Sequence, residues 1–481
     1  MRRLLALLVG LLILPVAVTR APARAATPGP GAPGGTVADS SGEWPLYGAD
    51  LANSRTVTGG PDATAVAGMR QAWRADFTDG DFTGTPVVSG GVVYVGSNGG
   101  RVRAIEAVPV AGRPAGRVLW TVTTPTASGG SPDPVNGSLA VAGGVVYVPV
   151  ARMGGPYVLA LDAATGNELW RTTLDTSTDA DVFGSPTVAP DPVTLRSVVL
   201  QGVSATSGDP ASPLRGSVSA LDARSGAVVW KTYTVPVGTN GGAVWCTPAV
   251  DPASGTVYVG TGNAYTGTAA PTTDSILALD LRTGTIERHF QATSGDVFSS
   301  STPGLDFDFG ASPNLMTVGG QDLVGEGQKE GTYWALRRSD LSPVWHSQVG
   351  PGSAAGGILG STAYDASSRQ VTGPISAPGY VWSLDAASGR PVWATAAAAD
   401  PVHFSPVAVS NGVVYSLASS GFVAAWDEQT GVPLAQMPLN DVAAPGTYSA
   451  SFGGVAVADG LVIADTGSQG SDGAIVAFGP G

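Results

Sequence analysis

An all-β fold follows from three features of the 481-residue chain. It carries 68 Gly and 37 Pro, well above the average usage of roughly 12% for the two together. Its 43% apolar content is nevertheless ample for a packed core, so the Gly and Pro are punctuation between short strands rather than a mark of disorder. A Thr/Ser-Gly pair followed by Trp also returns at a fixed spacing along the chain, and regular return of one motif is the signature of a repeat architecture.

The elements are taken in chain order. Met1, Arg2 and Arg3 give a positive start, Leu4 to Val18 an apolar run, and Ala23-x-Ala25 a small-residue cleavage pattern. That layout predicts a secretory signal over residues 1–26. The run is short for a membrane span, and no Cys lies near it for lipid attachment. A soluble, secreted or periplasmic chain with no membrane span is expected. Cleavage removes Arg2, Arg3, Arg20 and Arg24, taking the formal charge from −13 to near −17. Residues 27–43 read as a flexible Pro/Gly leader. So acidic a surface lacks the Lys/Arg clusters that nucleic acid requires. The single Cys246 excludes an intrachain disulfide, a CxxCH haem attachment and a multi-cysteine zinc site.

Residues 44–481 then write one unit eight times. Each copy opens on a small polar residue and a short strand, as in Thr-Pro-Val-Val at 85–88, Ser-Pro-Thr-Val at 185–188 and Thr-Pro-Ala-Val at 247–250. A β-branched strand follows, as at 92–95 and 256–259, and a third ends in Ala-Leu-Asp, as at 160–162, 220–222 and 278–280. Many copies continue as Asp-x-x-Thr/Ser-Gly-x-x-x-Trp, with Asp162 and Trp170, Asp222 and Trp230, and Asp385 and Trp393 each eight residues apart. This segment predicts a hairpin turn with Gly at positive φ, and a Trp on the outermost strand packing between units. Repeats end at Trp73, Trp120, Trp170, Trp230, Arg288, Trp345, Trp393 and Ala435, and the 408 residues after Trp73 divide into eight units of about 51. That suits a four-stranded antiparallel blade with its loops. The last copy has no outer strand, whereas Met69 to Ala75 has no repeat before it. The prediction is an eight-bladed β-propeller closed by the N-terminal strand, which leaves no open sheet edge.

The repeat resembles that of pyrroloquinoline quinone (PQQ) propellers. Trp44-Pro-Leu-Tyr47-Gly-Ala-Asp50-Leu-Ala-Asn53-Ser-Arg55 is similar to the leading segment of quinoprotein alcohol dehydrogenases. Residues 241–265, with 291–296, Asp306-Phe-Asp308-Phe-Gly310 and Gly327-Gln-Lys329, resemble the polyvinyl-alcohol dehydrogenase branch. The resemblance implies oxidation of a small or polymeric alcohol by hydride transfer to PQQ, held with Ca2+ at the ring centre. It further implies that Trp245 stacks under the quinone, Lys329 contacts the quinone oxygens, and Asn263 gives an amide oxygen to calcium. Asp308 or Asp306 takes the alcohol proton, with Asp308 the better match to the Asp-aromatic-Gly pattern.

Plainer readings of the same residues exist: another interblade Trp, a turn Asn, two solvated loop acids and an exposed turn Lys. His289, His346 and His403 show no metal spacing. The pattern also departs from the family at three points. No Glu stands upstream of Arg215-Gly216, where Asp209 is the only carboxylate of the loop and becomes the second candidate metal ligand. The vicinal cysteine pair is absent, and so is a cytochrome domain, so an enzyme needs an external electron acceptor. The alternative is a non-catalytic propeller acting as a binding or scaffold protein outside the cytoplasm. A scaffold resembling the lipoproteins of outer-membrane biogenesis is disfavoured by the missing lipid-attachment Cys.

Overall fold

The computed structural model describes residues 42–126, 130–191, 193–194, 196–205, 212–354, 356–395, 402–439, 452–467 and 472–481. The expected signal, the leader up to residue 41 and the candidate ligand Asp209 lie outside the described residues.

Those residues form eight sheets in the meander order that the repeats predict. Blade 1 passes from Val87–Ser89 through Val92–Gly96 and Arg101–Glu106 to Val118–Thr123, each strand antiparallel to the next. The inner strands of blades 2 to 8 are Ala140–Ala142, Thr187–Pro190, Ala249–Asp251, Asn314–Val318, Ala363–Asp365, Ala408–Ser410 and Val455–Ala458. The last lies against Val87–Ser89 of blade 1. Blade 8 takes its outer strand from the other end of the chain: Met69–Phe77 runs antiparallel to Gly473–Pro480. The N-terminal strand therefore closes the ring.

The Asp-x-x-Thr-Gly turn works as its residue types require. Asp162 Oδ1 accepts from the Thr165 amide at 2.9 Å and hydroxyl at 2.7 Å, with Gly166 at φ 73°. The Trp eight residues after the Asp locks neighbouring blades. Trp230 Nε1 donates to the Leu281 carbonyl at 2.9 Å while its ring packs on Gly284, which leaves no room there for a Cβ. Trp73, Trp120, Trp170, Trp345 and Trp393 repeat this bond to the next blade. Where Arg288 replaces the Trp, Leu341 stands at φ 57° in the facing turn. A cavity of about 500 Å3 opens at that junction, lined by Arg288, Arg338, Asp251, Asp322 and Tyr258 among others.

The small polar residue that opens each repeat also has a structural role. The Ser138 amide donates to Ser185 Oγ, Ser185 to Thr247 Oγ1, Thr247 to Ser312 Oγ and Ser312 to Ser361 Oγ, at 2.9–3.1 Å. Adjacent inner strands are stitched at their starting ends by this relay. The leading segment lies across the ring centre. Carbonyls of Trp44, Pro45, Leu51, Ala52, Ser54 and Arg55 accept from the amides of Val88, Val141, Val250, Leu315, Tyr364 and Val409 at 2.7–2.9 Å. Six inner strands thereby satisfy amides that would otherwise face an open channel.

Glu428, in the outer turn of blade 7, is buried, and burial raises its pKa to about 7, a rise that the Ser368 hydroxyl opposes and the Asp365 charge assists. Between its ordinary value and pH 7 the folded state keeps a proton that the unfolded state has lost. Stability therefore falls as pH rises through that window, by at most about 3 kcal/mol. Denaturant midpoints measured at pH 5 and pH 8 should converge in Glu428→Gln, and an unchanged pH slope would contradict this.

Candidate active site

Because strands alternate in direction, the starts of the inner strands share one face with the loops joining second and third strands. Around blades 4 and 5 this face gathers residues 241–248, 261–274, 291–313 and 328–331. Trp245 sits in the lead-in loop four residues before the inner strand Ala249–Asp251. The lead-in loop is tied to the Asn263 loop by the Gly242 amide on the Asn263 carbonyl at 3.0 Å and the Gly262 amide on the Ala243 carbonyl at 2.9 Å. Gly241 and Gly242, at φ 82° and 60°, make that close approach possible. Trp245 and Asn263 are thus fixed relative to each other by backbone.

Four of the predicted side chains meet here. Lys329 Nζ donates to Asp306 Oδ1 and Asp308 Oδ2, each at 2.9 Å, and lies 4.9 Å from the centre of the Trp245 ring. The Lys329 amide donates to the Asp308 carbonyl at 3.0 Å. Asp308 Oδ1 accepts the Asn263 amide at 2.7 Å, which brings the fifth residue against the same carboxylate. Asn263 Nδ2 donates to the carbonyls of Ala264 and Phe298 at 2.5 and 2.7 Å, an orientation that leaves its Oδ1 free of the hydrogen bonds seen among the described residues. All of these except the half-buried Trp245 are buried, so the exposed-turn readings of Lys329 and the two acids do not hold.

Burial raises the pKa of Asp306, and the charge of Asp308 adds to this while Lys329 opposes it. For Lys329 burial acts downward, but Asp308 and Asp306 outweigh it and hold the ammonium well above its ordinary value. The result is a lysine kept charged between two acids competing for one counterion. Among the described residues no three His, Cys, Asp or Glu side chains converge to hold a metal by themselves.

Several participants had no individual role assigned from the sequence. Asp296 accepts from the Phe307 amide at 2.8 Å and the Leu305 amide at 3.3 Å, pinning the turn in which Asp306 adopts φ 58°. Gln328 Nε2 donates to the Phe307 carbonyl at 2.5 Å and fixes the turn from its other side. Tyr265 is buried close enough to Asp308, Asp179 and Asp306 that their charges add to burial in holding its phenol protonated. Asp274 is fully buried, with neither carboxylate oxygen hydrogen-bonded among the described residues. Its spacing from Asn263 fits no motif, and its burial is a property of the folded loop.

Comparison with known proteins places this geometry. Residues 176–362, which span the inner-face loops just described, match the profile of the glucose/ethanol/alcohol dehydrogenase β-propeller domain. The chain is 30% identical over 447 residues to a polyvinylalcohol dehydrogenase of Pseudomonas sp., covering 84% of this chain and 68% of that protein. The chain belongs to the PQQ propeller family of quinoprotein alcohol dehydrogenases. Within that family it is 28% identical over 371 residues to a polyvinylalcohol dehydrogenase of Sphingopyxis sp., covering 65% of this chain and 56% of that protein. It is 27% identical over 348 residues to quinohemoprotein alcohol dehydrogenase ADH IIB of Pseudomonas putida, covering 63% of this chain and 46% of that protein. The chain thus spans about half to two thirds of these relatives' lengths. The fold is shared with a europium-containing methanol dehydrogenase (TM-score 0.75, 19% identity, 91% of this chain and 98% of that one). Residues 108–212 also match the profile of outer membrane protein assembly factor BamB.

Proposed function

We propose that this family member is an exported alcohol dehydrogenase, oxidising a small or polymeric alcohol with PQQ and a hard divalent cation such as Ca2+. One observation carries the reading: a half-exposed indole, an ammonium above its face and two buried carboxylates gripping that ammonium meet at one point. A solvated surface turn has no physical reason to bury a lysine between two acids against an aromatic ring.

The residues present suit the implied groups. The donor set is carboxylate and amide oxygen, which a hard cation prefers. The cradle is glycine-lined: a Cβ at Gly310 would come 2.5 Å from the Trp245 ring, and one at Gly262 2.8 Å from Asp308 Oδ1. When bound, PQQ supplies the electron-accepting carbonyl chemistry that no side chain has. In this assignment Trp245 offers a flat stacking surface and Lys329 holds positive charge toward anionic oxygens. Asn263 Oδ1 and Asp308 offer oxygen to the cation, and Asp209 remains a further candidate ligand. Asp308, or its partner Asp306, removes the hydroxyl proton of the alcohol. Oxidation also needs an external electron acceptor to recover the electrons.

The test is reduction of an artificial dye by a panel of alcohols, with purified protein supplied with PQQ and Ca2+. Alcohol-dependent turnover that requires both additions is expected; its absence for monomeric and polymeric alcohols alike would overturn the proposal. A second reading, a non-catalytic binding or scaffold propeller, is favoured by the profile match over residues 108–212. It predicts that the protein is isolated without quinone and gains none on reconstitution.

A further inference from the structure

Asp274 is paired with no counter-charge among the described residues. It lies at the end of the Asn263 loop, on the last residue before the strand Ser275–Asp280. It is held at φ 49° with its amide on the Gly262 carbonyl at 3.1 Å and its carbonyl accepting the Ala292 amide at 3.0 Å. Backbone at both ends thus fixes a non-glycine residue in a left-handed conformation, which persists only where the surroundings impose it. The side chain is 0% exposed, and neither oxygen has a hydrogen-bond partner among the described residues. Thr273, its neighbour, donates its hydroxyl to the Ala270 carbonyl and is the one nearby group that favours the charged form of Asp274.

The surroundings deepen the mismatch. The charges acting most strongly on Asp274 are those of Asp308, Asp296 and Asp306, all of its own sign. Asp308 is its neighbour across Gly262: the Gly262 carbonyl holds the Asp274 amide, and a Cβ at Gly262 would come 2.8 Å from Asp308 Oδ1. Asp296 is satisfied by two backbone amides, and Lys329 is divided between Asp306 and Asp308. One ammonium therefore serves a buried cluster that is short of positive charge. A buried acid without partner or counterion is costly, and a bound cation with oxygen preference removes that cost.

We propose that Asp274 is a carboxylate ligand of this chain's cation, acting from the same loop as Asn263 and opposite Asp308. The inference rests on the cation-assisted quinone site proposed above and names a ligand beyond Asn263 and Asp209. Two carboxylates and an amide oxygen are a partial shell for an ion that takes 6–8 oxygens, leaving positions for cofactor oxygens and water.

The test titrates Tb3+ into wild-type protein with and without PQQ, following terbium luminescence sensitised through the nearby Trp245, with Ca2+ as competitor. Saturable binding reversed by Ca2+ is expected, weakened at least tenfold in Asp274→Asn and in Asp274→Ser. Thermal unfolding provides an independent readout. Without metal, Asp274→Asn should melt above wild type, because it removes an acid whose burial beside three like-signed neighbours is costly in either protonation state; in saturating Ca2+ the order should reverse. Equal Tb3+ affinity in wild type and both variants overturns the proposal, as does no Tb3+ binding to wild type under either condition. PQQ binding, measured by absorbance on the same proteins, separates the two claims. Asp274-dependent cation binding without PQQ binding sinks the quinone reading alone, whereas PQQ binding with cation affinity indifferent to Asp274 sinks this inference alone.

Discussion

Asp308→Asn, in protein loaded with PQQ and Ca2+, is expected to lower kcat for alcohol oxidation by about 10²–10⁴-fold, the usual contribution of a positioned general base. The amide is isosteric, and its single oxygen keeps an acceptor for either the Asn263 amide at 2.7 Å or the Lys329 ammonium at 2.9 Å, while the capacity to take a proton is gone. Asp306→Asn leaves the Asp308–Lys329 pair in place and removes the like charge beside it. It is expected to cost on the order of tenfold, as a change in electrostatic setting rather than loss of the base. Measuring kcat and KM of both variants over pH decides between the two acids. If Asp306→Asn shows the larger loss, the base is Asp306; if neither variant falls below wild type by tenfold, the carboxylate pair is structural.

The second large effect concerns stability. Arg55 is 0% exposed, deep in the segment that crosses the ring centre, and forms no ion pair among the described residues. Its Nε donates to the Val407 carbonyl at 2.6 Å, Nη1 to the Tyr47 carbonyl at 2.5 Å and Nη2 to the Val455 carbonyl at 3.5 Å. The guanidinium stacks 5.4 Å from the Trp44 ring centre and 4.7 Å from that of Tyr47. One side chain thus joins blades 7 and 8 to the plug. Arg55→Met preserves the stem and most of the volume but takes the guanidinium donors from these carbonyls, leaving the Tyr47 carbonyl only the Trp44 indole at 3.4 Å, at about 1–3 kcal/mol for each buried group left unpaired. A total loss of about 3–5 kcal/mol is expected from the unpaired carbonyls and lost stacking together, read from guanidinium chloride midpoints. A loss under about 1 kcal/mol would contradict the role given to the plug, since surface changes fall in that range.

Much of this architecture was legible because repetition multiplies weak signals. A single Asp-x-x-Thr-Gly is an ordinary turn, but its return with Trp eight residues on fixed the blade, the interblade lock and the closure by Met69–Phe77. The Arg288 departure was equally visible as a missing Trp, although the cavity beside it belongs to packing and could only be seen in the structure. The opening Ser or Thr of each repeat was noticed without its purpose, because the hydroxyl relay bonds residues some 47–65 positions apart.

The site was legible in proportion to how far its residues resembled known motifs. Trp245, Asn263, Asp306, Asp308 and Lys329, each singled out through that resemblance, lie together in the structure. Asp274 escaped notice for a physical reason: an acid in a Thr-rich loop reads as solvated until the neighbouring loops close over it.

The most direct measurement is a PQQ titration of metal-loaded apo-protein, read by absorbance and by quenching of indole fluorescence, alongside Trp245→Ala. One saturable site per chain, with quenching that Trp245→Ala abolishes and affinity that it reduces at least tenfold, is the predicted result. Absence of saturable binding to the wild-type protein, or binding indifferent to Trp245, would contradict the placement of a quinone site on this face.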